Sequence, residues 1–103
     1  MPTTSELRNM IKEMDQQIIE SIATRLEIAD ELAKAKKLSG QSYWDERKEK
    51  EVVQRYHELC QEVSLSEGEA KQIAEVILKI SKERQHHFFE RAQSVSSQRY
   101  EMR

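Results

Sequence analysis

From Thr3 to Ser39 the chain contains neither glycine nor proline, and this unbroken stretch constrains the fold more than any other feature. Thr3 and Glu6 have the Thr-x-x-Glu spacing of a capping box, and Gly40 offers a left-handed cap at the far end. The spacing predicts a first helix of about 36 residues, or roughly 54 Å at 1.5 Å per residue. A compact domain of this length has a radius of gyration of only about 13 Å. The helix is therefore too long to be covered by the rest of its own chain. Its apolar stripe calls for another long helix, most simply the same helix of a second copy.

The remainder suits an all-α fold. Charged residues make up 35% and aromatics 6%, with two glycines and one proline, so little material exists for the turns of a β-sandwich. After a short loop, Gly40-Gln41-Ser42-Tyr43-Trp44, Asp45 caps a second helix with apolar positions at Val52, Tyr56, Leu59 and Val63. Ser64-Leu65 forms the next joint. Ser66 and Glu69 repeat the capping-box spacing and open a third helix with apolar positions at Ala70, Ile73, Ile77, Ile80 and Phe88. The expected architecture is a single domain over 1–103: a three-helix protomer with a very long first helix, entwined as a homodimer, with residues 94–103 a frayed end.

Seventeen basic and nineteen acidic residues give a net charge of −2. There is no cationic surplus for a nucleic-acid backbone or an anionic membrane. No apolar run reaches the ~20 residues of a membrane span, no signal-peptide core opens the chain, and Cys60 has no internal disulfide partner. The expected address is the reducing cytoplasm and the expected ligand a small molecule. His57, Cys60, His86 and His87 form no recognisable metal-ligand spacing, so neither a metal nor a cofactor is expected.

Polar groups placed where apolar ones belong identify the candidate site. The stripe Ile18, Ile22, Arg25, Ala29, Leu32, Lys36 alternates spacings of four and three, and two of its members are cations. On the third helix the row Ile73, Ile77 continues as Ser81 and Gln85. One cation on a stripe ordinarily snorkels at its edge. Two, with a hydroxyl and an amide facing inward from another helix, point to a bound anion, because polar groups in a core are costly unless paired. Arg25 and Lys36 leave the same helix face about 16 Å apart, a span that long side chains can close on a small dianion. Arg8 lies about 25 Å from Arg25 along the helix, so it reaches such a site only in a second copy. Asp45, Lys48 and Glu49 share the first turn of the second helix, where acidic groups also favour the helix dipole.

In order and spacing these residues resemble the all-helical chorismate mutases over about residues 5–90. Leu7-Arg8-x-x-Ile11-x-x-x-Asp15 matches the opening motif, Arg25 and Lys36 the arginine followed eleven residues later by lysine, Asp45 to Glu49 the Asp-x-x-Arg-Glu motif, and Ser81 with Gln85 the last pair. The resemblance implies a three-helix protomer entwined as a dimer that converts chorismate to prephenate without a cofactor. It also implies that Arg8 from the second copy, Arg25 and Lys36 bind the substrate carboxylates, with Ser81 assisting. Lys36 and Gln85 would donate to the ether oxygen, while Glu49 and the backbone near Asp45 would hold the ring hydroxyl. Lys48 departs from the motif, which usually has arginine there; Arg47 is adjacent but about 100° around the helix. Two other readings use the same residues. A related lyase releasing pyruvate from isochorismate needs the same dianion clamp, and a non-catalytic helical dimer needs none. A thermal shift with chorismate separates the last from the first two.

Overall fold

A computed structural model describes residues 1–101, with side chains through residue 91. It contains three helices, α1 (Thr4–Leu38), α2 (Glu46–Glu62) and α3 (Glu67–Glu101), and no strand among the described residues. The expected frayed end at 94–103 lies outside the residues described with side chains.

Each helix boundary has a local chemical cause. Thr3 accepts from the Glu6 N–H and opens α1, Asp45 accepts from the Arg47 N–H and opens α2, and Ser66 with Glu69 forms a reciprocal capping box before α3. These hydrogen bonds hold the Glu69 carboxyl below its ordinary value. At the end of α1, Gln41 N–H donates to the Lys36 carbonyl and Gly40 N–H to the Lys37 carbonyl, the paired bonds of a Schellman motif. Gly40 has φ +74°, the conformation that motif requires. The same pair recurs after α2, from Leu65 to Cys60 and from Ser64 to Gln61. There the left-handed residue is Ser64, at φ 62°. A side chain in that conformation costs roughly 1–2 kcal/mol; the two carbonyls satisfied by the turn offset it.

Helix α3 lies between the others and packs against both. Its buried seam is Ala70, Ala74, Ile77, Leu78, Ser81 and Gln85; α1 contributes Leu26 and Ala33, and α2 contributes Cys60. The alanines, almost wholly buried, leave no bulk between the helices and permit close approach.

This seam departs from the sequence expectation. Ile18, Leu32, Leu59, Val63 and Ile73, read from the sequence as apolar helix positions, are exposed in the single chain, and for the α1 stripe a covering helix from a second copy was expected. Ile22, Arg25, Ala29 and Lys36 are only half-buried. The seam on α1 runs through Leu26 rather than Arg25, one residue or about 100° further round. One neighbouring helix covers only one flank of α1, so the expected stripe becomes the border between covered and open surface.

The fold is extended. Its radius of gyration is 18.7 Å and its principal extents are 71 × 30 × 17 Å. It exposes 8701 Å², against about 6,100 Å² for a compact protein of its mass. The first half of α1 belongs to that open surface, with Met10 (57%), Ile11 (59%) and Ile19 (64%) exposed to solvent.

Candidate functional site

The last four turns of α1, Trp44 and Asp45, the first two turns of α2 and the middle of α3 line a cavity of about 230 Å³. Arg25, Lys36, Asp45, Lys48, Glu49, Ser81 and Gln85 all line it, with Trp44 and an apolar wall that includes Leu32 and Val52. Seven of the eight residues singled out from the sequence therefore meet around one space. The eighth, Arg8, is exposed on the first turns of α1 and does not line it.

Two cross-helix pairs form the floor. Arg25 Nη1 donates to Ser81 Oγ at 3.1 Å, and Lys36 Nζ donates to Gln85 Oε1 at 2.9 Å. Ser81 and Gln85 are each 3% exposed, which explains why polar groups are tolerated there: each has a cationic partner from α1. Lys36 Nζ also donates to the Tyr43 carbonyl at 3.1 Å, a bond made possible by the Schellman turn, which brings the chain back over the last turn of α1. Burial lowers the Lys36 pKa from the ordinary lysine value, and the nearby Asp45 carboxylate opposes part of that shift. The Arg25 guanidinium carbon stands 6.0 Å from the centre of the Tyr56 ring, a cation–π distance.

The donors and acceptors left over define what the cavity can bind. An ammonium has three N–H bonds and no acceptor. Two bonds of Lys36 point at protein oxygens, so one remains. Because Lys36 can only donate, Gln85 must turn its oxygen to it, leaving the Gln85 amide N–H₂ as a free donor. Ser81 accepts from Arg25 and so keeps its hydroxyl proton to give away. Glu49 Oε2 accepts from the Trp44 indole N–H at 3.0 Å, leaving Oε1 free. One wall is thus cationic and rich in donors; the other carries a carboxylate acceptor. That arrangement suits a small dianion bearing a hydroxyl group.

On the rim, Lys48 is 73% exposed and pairs with Glu51 at 3.4 Å. Arg47 is 90% exposed and absent from the cavity lining, which removes it as a substitute for the arginine of the motif. A larger groove of about 780 Å³ between α2 and α3 has Glu46, Lys50, Glu67, Lys71, Glu75 and Lys79 among its lining residues. Its mixed charges neutralise one another, and it lacks the paired inward cations of the smaller cavity.

Sequence reasoning missed three features around the site. Trp44 was assigned to a loop, yet it binds Glu49. The Tyr43 contribution is a backbone carbonyl, which no side-chain pattern reports. Arg84 and Asp30 form a 2.6 Å ion pair tying α3 to α1, but surface charges at helical spacing carry no signal of a partner 54 residues away. Among the described residues no group of three or more His, Cys, Asp or Glu is arranged to hold a metal. His86 and His87 both lie against Glu90, at 3.3 and 3.8 Å.

A chorismate mutase of Methanocaldococcus jannaschii is 29% identical over 90 residues, covering 87% of this chain and 91% of the relative. No solved structure matches the chain. The family model for chorismate mutase type II matches residues 7–86, a span that includes all eight residues singled out from the sequence. With that match over most of its length and an all-helical fold, the chain belongs to the chorismate mutase type II family, a family of isomerases.

Proposed function

We propose that the chain rearranges chorismate to prephenate in a homodimer with two sites, each completed by Arg8 of the second copy. The observation that carries this reading is the pairing of Lys36 with Gln85 and of Arg25 with Ser81 on the floor of one cavity. The reaction breaks one carbon–oxygen bond and makes one carbon–carbon bond within a single molecule, so it needs no nucleophile. Catalysis then consists of holding a flexible side arm over the ring and stabilising charge that develops as the ether bond opens. Arg25 and Arg8 of the second copy hydrogen-bond the two carboxylates, with the Lys36 charge attracting them and the Ser81 hydroxyl as a further donor. The free Lys36 N–H and the Gln85 amide donate to the ether oxygen. That oxygen gains negative character in the transition state, so these bonds favour it over bound substrate. Glu49 Oε1 accepts from the ring hydroxyl, and Lys48 contributes charge at the rim. The exposed apolar residues on the first half of α1 support the dimer, since another copy of that helix would bury them.

NMR of the purified protein with chorismate, against a protein-free control, tests the reading. Accelerated appearance of prephenate is expected. Intact chorismate, with pyruvate released when isochorismate is supplied instead, would replace the mutase with the lyase.

Two expected results concern pH. Lys36 must be protonated to act, and burial makes its proton easier to lose. The alkaline fall of kcat/KM, which reports the free protein, is therefore expected below the ordinary lysine range. That of kcat should lie higher, because the bound dianion favours the charged form. Between the lowered folded value and the ordinary unfolded value, the unfolded chain holds more protons at this group. Its contribution to stability thus becomes less unfavourable as pH rises through that window. A kcat/KM limb at or above the ordinary lysine value would count against Lys36.

Gln85→Glu gives the second. A carboxyl group donates to the ether oxygen only when protonated, and Lys36 beside it favours the ionised form. Turnover at neutral pH is expected to fall about 10²-fold and to recover by about tenfold per pH unit on acidification. Wild-type turnover should lack this acid dependence. A Gln85→Glu profile parallel to wild type would remove Gln85 from the ether oxygen.

A further inference from the structure

Trp44 is absent from the residues that the family resemblance assigns to the site, yet it joins two that are present. The backbone around it is pinned: Ser42 Oγ donates to the Trp44 carbonyl at 2.9 Å, and the next residue, Asp45, is the extended cap of α2. Its indole N–H is a donor with no acceptor capacity, and it meets Glu49 Oε2 at 3.0 Å. Its ring centre lies 5.8 Å from Lys36 Nζ and 5.5 Å from Lys82 Nζ. Lys36 lines the smaller cavity and Lys82 the larger groove, so the indole meets a cation from each. An arginine or glutamine in its place would have to order a flexible chain to reach Glu49; the indole has only two rotors.

We infer that Trp44 is a positioning residue: its N–H holds one oxygen of Glu49 so that the other faces the cavity and selects a ligand with a hydroxyl group there, while its ring covers one side of the Lys36 ammonium. The inference rests on the reading of Glu49 as the acceptor of the substrate hydroxyl. That hydroxyl stands on the ring carbon beside the one that loses the ether oxygen, but no bond to the hydroxyl itself is made or broken, so its hydrogen bond acts mainly on binding. Misplacing Glu49 therefore raises KM and leaves kcat nearly unchanged.

Two measurements test this. Trp44→Phe keeps a ring and removes the N–H; KM for chorismate should rise about five- to tenfold, with kcat within about twofold. In a Glu49→Ala background the same substitution should add nothing to KM, because the group that it positions is gone. An equal rise in both backgrounds would overturn the inference, leaving Trp44 as packing alone. A fall in kcat at constant KM would also overturn it.

The second readout needs no turnover. Trp44 is the chain's one tryptophan, so indole emission reports this position alone. The charged groups against the indole are Lys36 from α1, Glu49 from α2 and Lys82 from α3, and Asp45, the cap of α2, is its neighbour in the chain. The lysines stay charged in acid, so an acid titration follows the carboxylates. Glu49→Gln should remove most of the emission change seen in wild type. An unchanged step would show that the indole does not hold Glu49, whatever the substrate. If wild type leaves chorismate intact while Glu49→Gln abolishes the step, the substrate reading falls and the positioning of Glu49 stands.

Discussion

Lys36→Ala is expected to lower turnover of chorismate by about 10³-fold while leaving the helices folded. Removing one preorganised donor to a developing negative charge commonly costs 10²–10³ in rate, and this ammonium also carries charge for a carboxylate. The effect on stability runs in two directions. Loss of the side chain leaves Gln85 Oε1 and the Tyr43 carbonyl without their donor, at about 1–3 kcal/mol each if they stayed dry. It also relieves the cost of burying an ammonium, the same cost that lowers its pKa. The cavity is open enough for water to replace the donor, so the net change should stay within about 1 kcal/mol. A chromatographic or NMR assay reads the first effect and a circular-dichroism melt the second. Activity within tenfold of wild type would place the developing charge elsewhere.

Mixing Arg8→Ala with Arg25→Ala, each inactive alone, should restore about a quarter of wild-type activity. If chains pair at random, half of the dimers are mixed. In a mixed dimer, the site built on the Arg8→Ala chain keeps Arg25 and receives an intact Arg8 from its neighbour. The other site lacks both arginines. One functional site in two, in half the dimers, gives the quarter. A cis arrangement gives no recovery, since neither chain then holds a complete set. Native mass spectrometry of differently tagged chains confirms that mixed dimers form. Zero activity in their presence would exclude Arg8 acting in trans.

The sequence was most legible where chemistry and periodicity coincide. The starts of α1, α2 and α3 and the end of α1 could be read from Thr3, Asp45, Ser66 and Gly40, because caps act locally and their partners lie within a few residues. The site was readable because Arg25, Lys36, Ser81 and Gln85 each violate an apolar pattern, and such violations require partners. The core was harder. Which face of α1 meets α3 depends on a rotation of about 100°, and a row containing Leu26 and Ala33 is hardly more apolar than one containing Ile18 and Leu32. In this chain the tie is broken by alanine: Ala33, Ala70 and Ala74 are buried because they are small, a property that hydrophobic pattern alone underweights. The C-terminal turn of α2 carried no glycine to mark it, so Ser64 gave no sign of its left-handed backbone. Trp44 and Tyr43 were hidden for another reason: a loop has no period, and its contacts follow from the direction in which Gly40 turns the chain.

Several polar side chains around the cavity already have one end engaged. Arg25 is held by Ser81, Lys36 by Gln85 and Tyr43, and Glu49 by Trp44, each with other atoms still directed inward. Freezing a long polar side chain costs roughly 1.5–2 kcal/mol of rotamer entropy. Here most of that loss accompanies folding and is absent from the binding step. The ordering that remains on binding falls largely on the rotors of the ligand itself, which for a molecule that must fold one arm over its ring is the conformational restriction that leads towards reaction.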